Sequence, residues 1–238
     1  MNTSNHSQLT ISGLDVFIDR KDIKNLHIGV YPPHGKIRVA TPLKLDDEAV
    51  RLAVISRLAW IKKQRASFLN QPRQSPREMI SGESHYLFGK RYLLDVIYQN
   101  GKHQIIKKHS KLELQVKPNT TLQNRLLVLQ EFYRSKLKIE LEKLIDKWEK
   151  TIGITIEGYE VKKMRTKWGS CNIQKKKILL NLELVKLPID CIEYILVHEM
   201  AHLFERHHNE NFKAILDKFL PSWKERKKLL EYYPLCSY

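Results

Sequence analysis

Cysteine is scarce in this chain, with three in 238 residues, at Cys171, Cys191 and Cys236. An odd number without paired spacing argues against a disulfide framework and fits reduced thiols, so a cytoplasmic location is expected. No apolar run approaches the length of a bilayer span, which excludes a transmembrane helix and leaves no membrane partner to expect. The opening residues MNTSNHSQLT are polar and lack an apolar h-region, so no secretory signal is visible. There is no internal repeat and no low-complexity stretch. Acidic residues are short as well: 26 Asp and Glu stand against 42 Lys and Arg, a formal charge of +16. One reading of that excess is a nucleic-acid or acidic partner. The cations are spread along the chain rather than gathered in a block, which suits a solvated basic surface better. With 42% hydrophobic and 29% charged residues, the chain reads as soluble and globular, long enough for one large domain or two small ones.

What is present divides into a β-rich first half and a second half dominated by helix. Residues 1–8 read as a disordered tail. Leu26, Ile28 and Val30, then Ile37 and Val39, alternate on either side of Pro32-Pro33-His34-Gly35, which predicts a β-hairpin. Asp46 and Asp47 open an amphipathic helix to about Phe68, and Asn70–Pro76 has the composition of a linker. Tyr92, Leu94, Val96 and Tyr98 alternate before Asn100-Gly101, a type I′ turn signal, so a second hairpin returning through Gln104–Lys107 is expected. Leu112, Leu114 and Val116 predict another strand. Pro118 ends that region. Thr120-Thr121-Leu122-Gln123 resembles a capping box, ahead of apolar positions Leu122, Leu126, Leu129, Tyr133, Leu137, Leu141, Leu144 and Trp148 at helical spacing. Strands are expected around Ile154–Lys162 and Ile178–Val185, with a turn at Asn172–Lys176. Beyond Leu187-Pro188, Asp190 and Glu193 offer a reciprocal cap for the next helix. A last helix runs over about Glu210–Leu220, with Phe212, Ile215, Leu216 and Phe219 on one face. The expected organisation is a β-rich region at 1–117 and a second domain at 118–238.

The chemistry sits in Val197-His198-Glu199-Met200-Ala201-His202-Leu203. Helical positions i and i+4 share a face, so His198 and His202 can point both imidazoles at one ion, and zinc accepts such nitrogens. Glu199 is not needed as a ligand. It lies where its carboxylate can take a proton from water activated by the metal. The apolar neighbours Ile192, Ile195, Leu196 and Met200 place the motif in a helix with one buried face. The competing reading, a helix with two surface histidines, leaves Glu199 among apolar positions without a purpose. A catalytic zinc needs a third protein ligand and an open position. The spacing favours His208, reached if the chain leaves the helix after Leu203 and turns back. His207 is its neighbouring rival, and Glu210, Glu225 and Glu231 are carboxylate alternatives. The same histidine spacing occurs in metzincins, which have Gly where this chain has Glu205 and a methionine turn further on; no methionine follows Met200.

The motifs Lys167-Trp168-Gly169-Ser170-Cys171, Asn181-Leu182-Glu183-Leu184, Leu187-Pro188 and Tyr194–Leu203, followed by His208 and Phe212, closely resemble the YgjP-like family of zinc metallopeptidases, related to the SprT group. The likeness is specific over Arg165–Phe212 and looser over the whole chain, including Phe88-Gly89-Lys90-Arg91-Tyr92. It implies an α+β, zincin-like metallopeptidase domain with a β-rich N-terminal part, zinc on His198, His202 and His208, and a catalytic Glu199. Read from the residues alone, Gly169 can bring backbone close to a ligand, while Trp168 and Cys171 suit packing roles.

Two functions follow. The first is hydrolysis of peptide bonds in a peptide or protein substrate, with zinc, with Glu199 as general base and with the strand Ile178–Val185 as an edge for an extended substrate. Arg165, Tyr159 and His207 are candidates for stabilising the oxyanion. The alternative, motivated by the charge, is a nucleic-acid-associated binding module with a structural or secondary zinc site.

Overall fold

Alternating buried residues and tight turns build the first elements of the chain. The computed structural model describes residues 6–31, 34–69 and 77–233. Strands β1 (His6–Ile11) and β2 (Leu14–Lys21) pair across Ser12-Gly13, both at positive φ. Strands β3 (His27–Tyr31) and β4 (Lys36–Pro42) pair antiparallel, as the alternation predicted. His6, Ser7 and Gln8 lie in β1 rather than in a tail. The strand order is β1-β2-β4-β3, with β2 and β4 parallel. On β2 and β4, Val16, Ile18, Ile37 and Val39 face a core closed by Val50, Val54 and Ile61. The predicted long helix is two, α1 (Asp47–Ser56) and α2 (Leu58–Leu69), broken at Arg57. Asp46 caps α1 by accepting from the Ala49 N–H. The linker expected at Asn70–Pro76 lies outside the described residues.

The chain divides into two compact units, Met1–Ser75 with Cys236–Tyr238, and Pro76–Leu235. The boundary expected at 117/118 thus falls inside the second unit. The reason is packing: Leu94, Leu112, Leu114 and Val116 share one apolar core with Leu129, Phe132, Leu137 and Leu141 of the long helix, so this sheet belongs with the helix that follows it.

That sheet holds β5 (Ser84–Leu87), β6 (Lys90–Tyr98), β7 (Gln104–Lys108) and β8 (Lys111–Val116), in the order β5-β6-β8-β7. The expected β6–β7 hairpin does not form. β8 inserts between them, parallel to β6 and antiparallel to β7. Leu112 and Leu114 are fully buried on β8, and a strand of that kind gains most from a neighbour on each side. Asn100 accordingly lacks the positive φ of a type I′ turn. The type I′ signature falls at Phe88 and Gly89, with φ of 50° and 77°. This order repeats β1-β2-β4-β3, a duplication of topology that no sequence period announces.

Helix α3 (Leu122–Ile152) starts one residue later than the capping-box reading implies. Thr121 is the cap, accepting from the Asn124 N–H. Gly153, left-handed at φ 76°, ends the helix. A second, three-stranded sheet follows, in the order β10-β11-β9: β9 (Gly158–Lys162), β10 (Gly169–Asn172) and β11 (Lys177–Asn181). The strand expected to reach Val185 stops at Asn181 and gives way to a 3-10 turn, Leu182–Lys186. Helices α4 (Ile189–Ala201), α5 (Glu210–Phe219) and α6 (Trp223–Glu231) complete the unit. The last is one helix more than expected, since its sequence is too charged to show an apolar stripe. α4 is buried almost all round, from Cys191 to Val197 and again from Glu199 to Ala201. It therefore serves as the central rod of this core, with each fully buried Ile or Leu contributing about 1.5–3 kcal/mol.

No helix among the described residues is long and apolar enough to cross a membrane. Cys171 and Cys191 are free thiols; Cys236 lies outside the described residues.

Candidate metal centre

Pro188 starts α4 without a side-chain cap hydrogen bond. The Asp190–Glu193 cap is not made. Glu193 is instead buried, accepting from Lys147 at 2.6 Å, from Trp148 Nε1 at 2.9 Å and from Arg226, and this ties α3, α4 and α6 together. At the base of α4 the Phe88-Gly89 turn docks on the 3-10 turn: the Phe88 and Gly89 N–H groups donate to the Val185 and Lys186 carbonyls. A Cβ at Gly89 would meet Pro188 at 2.9 Å. The helix is thus fixed at its start by a hairpin and along its length by a buried carboxylate.

At its far end, the ligand atoms of His198, His202 and His208 all lie within 4.8 Å of one another. Nε2 of His198 and Nε2 of His208 are 3.0 Å apart. His202 Nδ1 lies 3.1 Å from the Glu205 carbonyl oxygen, which fixes that nitrogen as the donor and turns Nε2 to the centre. Phe212 packs against all three rings at centroid distances of 4.7–4.9 Å. It is positioned by α5, whose cap Asn209 accepts from the Phe212 N–H. Burial first, then the charges of His202, His208 and Lys227, pushes the His198 pKa down to about 3. Burial also lowers that of His208. Both imidazoles therefore hold a lone pair available at neutral pH. This set of three imidazole nitrogens fits a borderline-soft divalent ion such as Zn2+.

Glu199 is buried beside this cluster. Burial pushes its carboxyl up to about 7, with Lys167 pulling it back. Its space is set by Gly169: a Cβ there would stand 2.7 Å from Glu199 Oε1 and 2.8 Å from its Cγ. The close backbone approach read from Gly169 is thus real, and its partner is this carboxylate. Cys171, two residues along the same strand, has its thiol pushed up to about 11 by burial and by the Glu199 charge. Trp168 packs against the core.

The rival residues stand elsewhere. His207 is exposed and its N–H donates to Glu205 Oε1. Glu210 pairs with Lys213. Glu225 and Glu231 do not join the three-histidine group. Of the oxyanion candidates, Tyr159 donates its hydroxyl to Glu142 on α3, and Arg165 is exposed in the β9–β10 loop. β11 is the central strand of its sheet, which leaves β10 and β9 as its edges, and β10 is the one that lies against α4.

One residue whose motif the sequence singled out without a role completes the surroundings. Asn181, with no exposed surface, donates Nδ2 to the Met164 and Lys167 carbonyls and accepts at Oδ1 from the Met164 and Glu183 N–H groups. It staples the β9–β10 loop against the end of β11. A polar residue closing an apolar strand run was the available signal.

Two histidines one turn apart on a buried helix, a carboxylate between them and a third histidine from the loop beyond form the arrangement of HExxH metal-dependent hydrolases. The chain belongs to the YgjP-like family: the family model described as "YgjP-like, metallopeptidase domain" matches residues 25–233. This is a metallopeptidase family, which supports a hydrolase or peptidase and implies a divalent metal. Among solved structures, the metallopeptidase zymogen of Pyrococcus abyssi abylysin aligns with 41% of this chain and 98% of its own, at 19% identity and a TM-score of 0.37. No curated protein matches the chain by sequence.

Proposed function

We propose that this chain is a zinc-dependent metallopeptidase in which His198, His202 and His208 hold the metal and Glu199 is the general base. The observation that carries this reading is the meeting of three imidazoles, their ligand atoms within 4.8 Å of one another, beside a buried carboxylate whose proton affinity lies near neutrality. When bound, the ion supplies Lewis acidity, polarising a carbonyl oxygen and acidifying water. Glu199 receives the proton of the water that attacks the peptide carbonyl, and returns it to the departing amine nitrogen as the C–N bond breaks. Gly169 confines the carboxylate to one position, and Phe212 keeps one side of the imidazoles dry. The free edge of β10 offers backbone groups to an extended substrate.

Elemental analysis joined to substitution tests the assignment. His202→Ala should lose stoichiometric zinc. Comparing His207→Ala with His208→Ala identifies the third ligand, and His208→Ala should cost most of the affinity. Glu199→Gln should keep the metal and lose about 10²–10⁴-fold in turnover of a peptide substrate, because an amide cannot accept that proton. Full zinc in His202→Ala, or wild-type turnover by Glu199→Gln, would refute the proposal.

A further inference from the structure

Near the metal centre stand exposed cations that have no ion-pair partner among the described residues. The β9–β10 loop carries Lys163, Arg165 and Lys167, all exposed. None of the three has a carboxylate partner among the described residues, whereas Lys162 beside them pairs with Glu160 at 2.6 Å. On α6, which packs against α4, Lys224 pairs with Asp217 and Arg226 with Glu193, but Lys227 has no ion-pair partner among the described residues. Lys167 lies two residues before Gly169, which abuts Glu199, and its charge reaches that carboxylate. Lys227 acts on His198 and His208. Of the nearby acids, Glu205 accepts from the His207 N–H.

The loop is also held more firmly than a solvated turn requires. A fully buried Asn181 commits four hydrogen bonds to Met164, Lys167 and Glu183. Burying an amide in this way costs free energy unless every bond is made. The outcome is a basic segment set at a fixed place where the free edge strand β10 begins.

We propose that this stapled loop, with Lys167 foremost, and Lys227 across the histidine cluster select substrates whose peptide carries acidic side chains, Asp or Glu, flanking the bond to be cleaved. The inference rests on the peptidase reading and names its substrate class. An extended peptide laid along β10 projects alternate side chains towards these cations, and unpaired cations at a cleft mouth attract and orient such a segment. The edge strand is what favours a peptide over a nucleic acid, which has no backbone donors to add to a sheet.

The test uses the full chain, zinc-loaded and carrying Glu199→Gln to stop turnover. It is titrated by fluorescence anisotropy against labelled extended peptides that are Glu-rich, Gln-rich or Lys-rich. The Glu-rich peptide should bind tightest, and its affinity should fall as salt rises. The pair Lys167→Glu with Lys227→Glu should weaken it by roughly tenfold and shift preference to the Lys-rich peptide, since attraction becomes like-charge repulsion. The milder pair of Gln substitutions should give the same direction. Equal affinity for the three peptides, or no response to either pair of substitutions, overturns the inference. So does displacement of the Glu-rich peptide by a DNA oligonucleotide at lower concentration than by unlabelled peptide, which would make the rim a nucleic-acid surface. Cleavage by the wild-type protein is followed in parallel. Cleavage that is indifferent to Glu overturns the selection but leaves the peptidase standing. Selective binding of the Glu-rich peptide with no cleavage of any peptide sinks the peptidase reading and leaves the charge selection standing.

Discussion

Gly169 gives Glu199 its room. An alanine there places a methyl group 2.7 Å from Oε1, so the carboxylate must move. Displacement by about 1 Å is enough to cost about 10²-fold in rate. Gly169→Ala should therefore keep its zinc, by elemental analysis, and lose most turnover; wild-type kinetics would show that the carboxylate's position is unimportant. A second residue contributes to the pH dependence of stability. His85 is buried on β5, and burial, then Arg77, pushes its pKa down to about 4 against the opposing pull of Glu83. The unfolded chain protonates this histidine near about 6.5, while the folded chain resists until about 4. Stability from this group is thus complete above the unfolded value and lost as the pH falls through that window. Denaturant midpoints measured across it should decline, and His85→Gln should flatten the decline; an unchanged slope would assign it to other groups. At this scale the site was legible where spacing is local. His198 and His202 follow from i, i+4, and His208 from a short loop. The partners of Gly169 and Asn181 were hidden, because each lies far along the chain.

The elements were legible wherever one face repeats. α3 and the β3–β4 hairpin follow from their apolar periods. The β6–β7 hairpin did not, because Asn100-Gly101 is a local signal while the pairing is decided by the burial of β8. α6 was hidden by its lysines. Asp190 and Glu193 looked like a cap from sequence, yet Glu193 is the buried acceptor joining three helices. Glu193→Ala leaves Trp148 Nε1 without its acceptor, removes a carboxylate partner from Lys147 and Arg226, and should destabilise the second unit by about 3 kcal/mol. The more conservative Glu193→Gln should cost less, and zinc stoichiometry should survive both. Thermal unfolding with metal analysis measures the pair. A neutral Glu193→Ala would mean that helix packing alone seats α4.

The molecule as a whole is two cores. The second unit, Pro76–Leu235, contains every residue assigned to the metal centre, and a chain beginning at Pro76 is expected to fold cooperatively and bind one zinc. Molten behaviour or missing metal in that fragment would show that the first unit is needed for the site. Composition could not reveal this division, because the boundary depends on which helix each sheet covers. The shared strand order of the two four-stranded sheets also has a kinetic side. In each, two hairpins with local pairings flank a parallel pair, β2 with β4 and β6 with β8. Hairpins close in about 1–10 μs, whereas the parallel seam has to wait for both halves to meet. Each sheet is therefore a late joint between two early pieces. A backbone nick between Gln99 and Lys102 should leave both halves able to form on their own, and slow only their meeting.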